Sequence, residues 1–248
     1  MNAYEVALAR STVYRFLSLC FLYPDDSLVA SFKDGVFLKE IEESLHLLTC
    51  QGKSSLCPYL LTHYSSLLPS SPSLPDLQAE HRRVFGPIIP QDCPPYETEY
   101  GKAHIFRQAH DMGDIAGFYR AFGLEVSDNA RERLDHISIE LEFMHFLTYK
   151  EAYALKHHGV EQAEICREAQ VKFLKDHLGR WTPLFARHLA KKAHSGFYKG
   201  LAEFLRDFIA LEGALLGVKP IELEEQGLKL SPFEPERDSF SCPFMDDV

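Results

Sequence analysis

Apolar residues recur at helical spacing at both ends of the chain, and that periodicity constrains the fold more than any other feature. Near the start, Ala9, Val13, Phe16, Leu17 and Cys20 fall at i, i+4, i+7, i+8 and i+11. Towards the end, Phe197, Leu201, Phe204, Leu205, Phe208, Leu211 and Leu215 repeat the pattern, with Glu203, Arg206 and Glu212 off the stripe. Each set makes the buried face of an amphipathic helix. Pro24, followed by Asp25 and Asp26, stops the first helix, and Gly217 stops the last. Period-two alternation, which marks a half-buried strand, is scarce. Further helices are expected near 36–50, 54–67, 74–85, 111–122, 131–157, 160–178 and 183–193. Pro69 to Pro75 reads as a loop, and Gly86 to Gly101, with Pro87, Pro90, Pro94 and Pro95, cannot be a regular helix. The expected fold is all-α: a single globular multi-helix domain over residues 1–225, then an extended, acidic, proline-containing tail over 226–248.

At 248 residues and 46% apolar content the chain can bury such a core. Its formal charge of −10 makes it a poor general ligand for nucleic acid, whose phosphates repel it, and a better partner for a basic segment of another protein. The six cysteines, Cys20, Cys50, Cys57, Cys93, Cys166 and Cys242, form no CxxC pair and match no zinc spacing, which fits a reducing compartment. The N-terminus has no basic region followed by an apolar run, and Val13 to Tyr23 is short and interrupted by Arg15. A cytoplasmic protein without stable membrane insertion is therefore expected. Nucleotide-binding glycine loops, the nucleophile elbow and H-E-x-x-H are missing, so no catalytic residue, cofactor or metal is assigned. Glu43 with His46, and Glu142 with His145, have the Glu-x-x-His spacing of helical di-iron sites, but both pairs lie off their helices' apolar stripes, where ligands could not converge.

The segment from Asp135 onward holds the most informative wheel. Ile137, Ile139, Leu141, Phe143, Met144, Phe146 and Leu147 cover well over half of it, so this helix is central. His136 and Glu140 fall within the apolar arc, four apart, while Asp135, Glu142 and His145 fall on the wetter side. A carboxylate in an apolar arc is costly unless paired or protonated. Either Glu140 bonds His136 or a neighbouring loop and fixes the packing, or the two lie beneath a groove that receives a partner, or they ligate a metal. Upstream, Pro94 and Pro95 restrict the backbone before Tyr96-Glu97-Thr98-Glu99-Tyr100. Glu97 and Glu99 could meet a cationic peptide through charge-assisted bonds, do acid–base work, or simply be solvated on a rigid loop.

Several words then occur in a fixed order: Glu80 to Pro87 (EHRRVFGP), Pro94 to Glu97 (PPYE), Asp114 to Leu124 (DIAGFYRAFGL), Asp135 to Met144 (DHISIELEFM), and Phe173 to Leu178 with Trp181. In these words the chain resembles the TorD/DmsD/NarJ family of redox-enzyme maturation chaperones, from the first helix to about residue 215. The resemblance implies an all-helical fold peculiar to that family and no catalytic activity. It implies that the chain binds the N-terminal twin-arginine (Tat) signal, or another segment, of a molybdopterin oxidoreductase catalytic subunit, and holds that client until its cofactor is inserted. It places Asp135 and His136 at the family's signal-recognition pair, and Tyr96, Glu97, Glu140 and Glu142 at other signature positions. Leu134 stands where the family usually has proline, which would let the helix run on through the hinge. Carboxylates beside an apolar groove suit paired guanidinium groups followed by an apolar run. Asp135, Glu97 and Glu99 are candidates for the first; Tyr96, Tyr100, Phe118 and Tyr119 are candidates for the second, or Phe118 and Tyr119 are core.

Two further readings stay open: an assembly adaptor that binds its client without recognising a signal, and a metal-binding helical enzyme. The chain could act as monomer or homodimer. In the tail, Phe240, Phe244 and Met245 are apolar anchors beside Cys242. They would serve as a strap on the body or as a cover for the client groove.

Overall fold

The computed structural model describes residues 2–49, 60–64, 73–86, 92–100, 105–127, 132–194 and 196–223, the side chains of 105–107 excepted. The first helix, α1 (Ala3–Phe21), starts where the Asn2 side chain accepts from the Tyr4 amide. All five residues of its apolar stripe are buried. Asp25 does more than end it: its carboxylate accepts from the Leu28 amide at 2.9 Å and caps α2 (Asp26–Asp34), which Gly35 closes with φ 71°. This short helix went unpredicted because it buries only Leu28 and so shows no stripe. Then comes α3 (Val36–Thr49), and residues 60–64 are helical within the expected 54–67, whose remainder lies outside the described residues. Ser73 caps α4 (Leu74–Phe85). The helix α5 (Ile105–Ala121) starts earlier than the expected 111.

The central helix, α6 (Ile137–His157), starts at 137 rather than 131. Leu134 and Asp135 form a turn ahead of it, so the helix does not run on through them. From 160 to 192 the chain stays helical as α7 (Val160–Phe173), a π-turn (Leu174–Leu178) and α8 (Gly179–Lys192). Gly179 is required there, since a β-carbon would run into the Leu174 carbonyl and the Pro220 ring. The last helix, α9 (Gly196–Leu216), ends at Gly217 with φ 69°.

The core is laid down by α1 lying along α6, with α7 against α6, α9 against α8 and α3 against α1. Between them pack Phe16, Phe173, Trp181, Phe185, Phe204 and Phe208, all fully buried. One polar knot crosses this core. Arg10 forks onto Glu212 with bonds of 2.7 and 2.6 Å, reaches Glu151 at 3.2 Å and donates to Gln170 at 2.7 Å, while the Tyr14 hydroxyl donates to Glu212 at 2.8 Å. Glu212 is therefore not on a solvent face as its helical spacing suggested; it is wholly buried and joined to α1. The expected tail over 226–248 and most of the loop Pro69 to Pro75 lie outside the described residues. Among the described residues no helix is long and apolar enough to cross a membrane.

Candidate functional site

The loop over 92–100 is stitched to the turn ahead of α6. Pro94 and Pro95 hold it extended, and Tyr96 and His136 form an antiparallel bridge. The Glu97 amide donates to the Asp135 carbonyl and the Ile137 amide to the Pro95 carbonyl, both at 2.9 Å. A 3₁₀ turn (Glu97–Glu99) follows. This pairing brings together six of the seven residues singled out in the sequence, Tyr96, Glu97, Glu99, Tyr100, Asp135 and His136, with Glu140 one turn into the helix below.

Only Tyr96 and Glu99 of those seven are even partly exposed; Glu97, Tyr100, Asp135, His136 and Glu140 are buried. Asp135 was placed on the wetter side by extending the wheel to it. It precedes the helix and is 0% exposed, accepting from the Thr98 amide at 3.1 Å and the Thr98 hydroxyl at 2.8 Å. Arg133 covers it: Nε donates to Oδ1 at 3.0 Å and Nη2 to Oδ2 at 2.8 Å. The same guanidinium donates to Glu99 at 2.8 Å and to the Thr98 hydroxyl at 2.6 Å, and lies 4.5 Å from the centre of the Tyr96 ring. Tyr96 in turn donates to Glu132 at 2.8 Å.

His136 and Glu140 do not bond each other through their side chains. His136 caps α6, its Nδ1 accepting from the Ser138 amide at 3.2 Å with the Ser138 hydroxyl 2.7 Å away. That fixes its proton on Nε2, which faces Glu132 at 3.8 Å. Burial, then the neighbouring His81 and Arg133, hold its pKa down to about 3, so the ring is neutral at physiological pH. Glu140 instead accepts from Trp181 Nε1 at 3.0 Å. Burial first, then the charge of Glu97 and the hydrogen bond to it, push Glu140 well above the ordinary carboxyl range, with Trp181 acting the other way. Its neutral form is therefore favoured over the charged one.

Glu97 is held from its other side by His177 of the π-turn, whose Nδ1 lies 3.1 and 3.2 Å from the two carboxylate oxygens. His177 Nε2 faces the half-exposed Asp114 of α5 at 3.2 Å. Burial works against the His177 imidazolium, but the bond and charge of Glu97, then Asp114, outweigh it and raise its pKa. Tyr100 packs on Trp181 with ring centres 5.3 Å apart and is too buried to line a groove. Phe118 packs edge-on against Phe173 and His177.

An apolar groove of about 270 Å³ opens beside this turn, between the C-terminal end of α5, residues 124–127 and α6. Tyr119, Leu124, Val126, Ile139, Phe143 and Phe146 line it, with Ser127, Glu125 and Glu142 at its edge. Tyr119 joins groove to turn, its hydroxyl donating to the Leu134 carbonyl at 2.9 Å. Arg133, Thr98 and Glu132 were not singled out as site residues; of the groove's lining, Tyr119 was a candidate groove aromatic and Glu142 a signature position, and the rest were not singled out. The aromatic spacing of Tyr119, Phe143 and Phe146 also fits a plain core, and nothing local in the sequence separates the two. Glu43 and His46 are exposed on α3, and among the described residues no group of three His, Cys, Asp or Glu side chains could hold a metal ion.

Comparison with known proteins adds a line independent of this geometry. The family described as nitrate reductase delta subunit matches residues 50–187. The perchlorate reductase assembly chaperone protein of Dechloromonas aromatica is 31% identical over 208 residues, 83% of this chain and 88% of that protein. The chaperone protein TorD of Vibrio parahaemolyticus is 32% identical over 98 residues, covering 38% of this chain and 43% of that one. The selenate reductase assembly chaperone protein of Thauera selenatis is 31% identical over 114 residues, covering 46% and 57%. Against these last two, the match spans about half of the relative's length.

Proposed function

The chain belongs to the nitrate reductase delta subunit family, whose relatives are named as assembly chaperones, and from that premise we propose that it is a maturation chaperone of a molybdenum-cofactor oxidoreductase. It works without catalysis, in the cytoplasm, on the apo catalytic subunit. Its recognition element is the client's N-terminal twin-arginine signal. The observation that carries this reading is an acidic turn next to an apolar groove. Among the described residues Asp135, Glu99 and Glu132 set three carboxylates against the single cation Arg133, and Tyr119 links that turn to the groove. Paired cations followed by an apolar run fit that order of surfaces. The buried residues, His136, Glu140, Glu97 and Tyr100, hold the turn's shape and do not touch the client.

A second reading, an adaptor that binds its client elsewhere and ignores the signal, is favoured by one fact: the best carboxylate, Asp135, already has an arginine on it. Calorimetric titration with a twin-arginine signal peptide separates the two. Micromolar binding is expected, weakening roughly tenfold or more between about 50 and 200 mM salt for a contact of this charge. Binding of the full apo subunit with no binding of the peptide would establish the adaptor instead.

A further inference from the structure

We propose that Asp135, Glu99, Thr98 and the face of Tyr96 form a receptor for one arginine side chain, that Arg133 is its resident occupant, and that a docking client displaces Arg133 with an arginine of its own. The inference rests on the signal-recognition reading and specifies how that site is filled and emptied. Its first support is how fully the guanidinium is engaged. Four of the five guanidinium N–H donors and one of its faces are used: a fork onto Asp135 at 3.0 and 2.8 Å, a bond to Glu99 at 2.8 Å, one to Thr98 at 2.6 Å, and an aromatic ring at 4.5 Å. A lysine ammonium has three donors but no planar fork to match the Asp135 carboxylate and no flat face to lie on Tyr96.

The cradle also stands without its occupant. Asp135 keeps the amide and hydroxyl of Thr98, its carbonyl keeps the Glu97 amide, and Tyr96 stays tied to Glu132. Among the described residues Arg10, Arg83 and Arg133 each fork onto a carboxylate, and Arg10 and Arg133 differ in a telling way. Arg10 is 2% exposed and locked among four helices, whereas the Arg133 side chain is 31% exposed, at the rim of a site whose floor, Asp135, is 0% exposed. A side chain at the rim can swing into water; its replacement enters by the same opening.

A placeholder answers a physical need. Asp135 buried without a cation would destabilise the free protein. Exchange of one guanidinium for another loses no ion pair, so selectivity for arginine is kept while affinity is held down by the competition. With the client's first arginine seated, the carboxylates Asp135, Glu99 and Glu132 still outnumber the cation on the turn, which favours the second cation of a paired signal.

The test uses the full chain with Arg133→Ala. Acetyl-arginine amide at millimolar concentration is expected to raise the melting temperature of this variant saturably, acetyl-lysine amide is not, and neither is expected to move the unaltered protein. In calorimetry the variant is expected to bind a twin-arginine peptide about tenfold tighter than the unaltered chain, with no gain for a twin-lysine peptide. Equal peptide affinities and no rescue by the amide would overturn displacement while leaving signal recognition intact. Absence of peptide binding by either protein would overturn signal recognition and reduce Arg133 to a structural pair, whatever the amide does. If Arg133→Ala does not fold, Arg133→Lys keeps a cation on Asp135 but loses the fork. It must then show a severalfold gain for the twin-arginine peptide, and no gain sinks the proposal.

Discussion

Glu140 shows how one proton settles an otherwise forbidden placement. A fully buried carboxyl on the apolar side of α6 is tolerated because burial and the neighbouring Glu97 favour its neutral form, while it accepts from Trp181 Nε1 at 3.0 Å. Its folded pKa is raised, so the folded protein holds a proton that the unfolded chain releases above the ordinary carboxyl value of 4.5. The contribution to stability is full below that value and declines as pH rises towards the folded value. Glu140→Gln presents the same donor and acceptor without titrating. It should match the unaltered protein near pH 4.5 and become the more stable of the two by pH 8, the gap widening by at most about 1.4 kcal/mol per pH unit. The difference between the two proteins isolates Glu140 from His136 and His81. Their pKa values are held down to about 3 and about 4, chiefly by burial, so they weaken the fold as pH falls from the ordinary 6.5 towards those values. Parallel melting profiles from pH 4.5 to 8 would mean that Glu140 titrates like a solvated carboxyl. The sequence placed Glu140 in the apolar arc and offered it His136 or a neighbouring loop as partner. Its actual partners, Glu97 and Trp181, lie on other elements, which no helical wheel displays.

At the scale of elements, the helices were legible wherever a stripe of apolar residues met one neighbour, as in α1 and α9. Their polar exceptions were not. Arg10 meets Glu151 and Glu212 across 141 and 202 residues of sequence, and each of the three looks locally like a solvent-facing charge. The start of α6 was misplaced for a related reason. His136, with φ −72° and ψ 141°, is the cap and not the second turn, so a wheel drawn through it put Asp135 on the wrong side. The knot around Arg10 gives a sharp expectation. Arg10→Met leaves Glu212 and Glu151 buried without their main cation and should cost about 3–5 kcal/mol in urea unfolding. Arg10→Met with Glu212→Leu removes one of the stranded charges together with its partner and should recover most of that loss. A double variant no better than the single one would mean that the knot holds the four helices by geometry and not by charge balance.

For the whole molecule, two properties of different range divide the work of binding. The formal charge of −10 acts over a Debye length, and the acidic turn and the groove residues Glu125 and Glu142 place part of it around the proposed client site. The apolar groove acts only on contact. The acidic surplus was plain in the sequence; the groove was not, because Ile139, Phe143 and Phe146 read equally well as core until 124–127 is seen to lie beside them. If a cationic, apolar client segment docks across this face, the association rate should fall severalfold or more from about 50 to 500 mM salt, while dissociation changes little. Phe146→Ala should do the reverse. Phe146 is only half-buried, so its truncation spares the fold, yet it removes apolar contact at the groove. Dissociation should quicken by roughly tenfold, the equivalent of one partly buried aromatic contact, at an unaltered association rate. Stopped-flow or surface-based kinetics on the two proteins would read both rates at once. Unchanged dissociation from Phe146→Ala would place the client's apolar run elsewhere and leave the acidic turn as its sole attachment on this face.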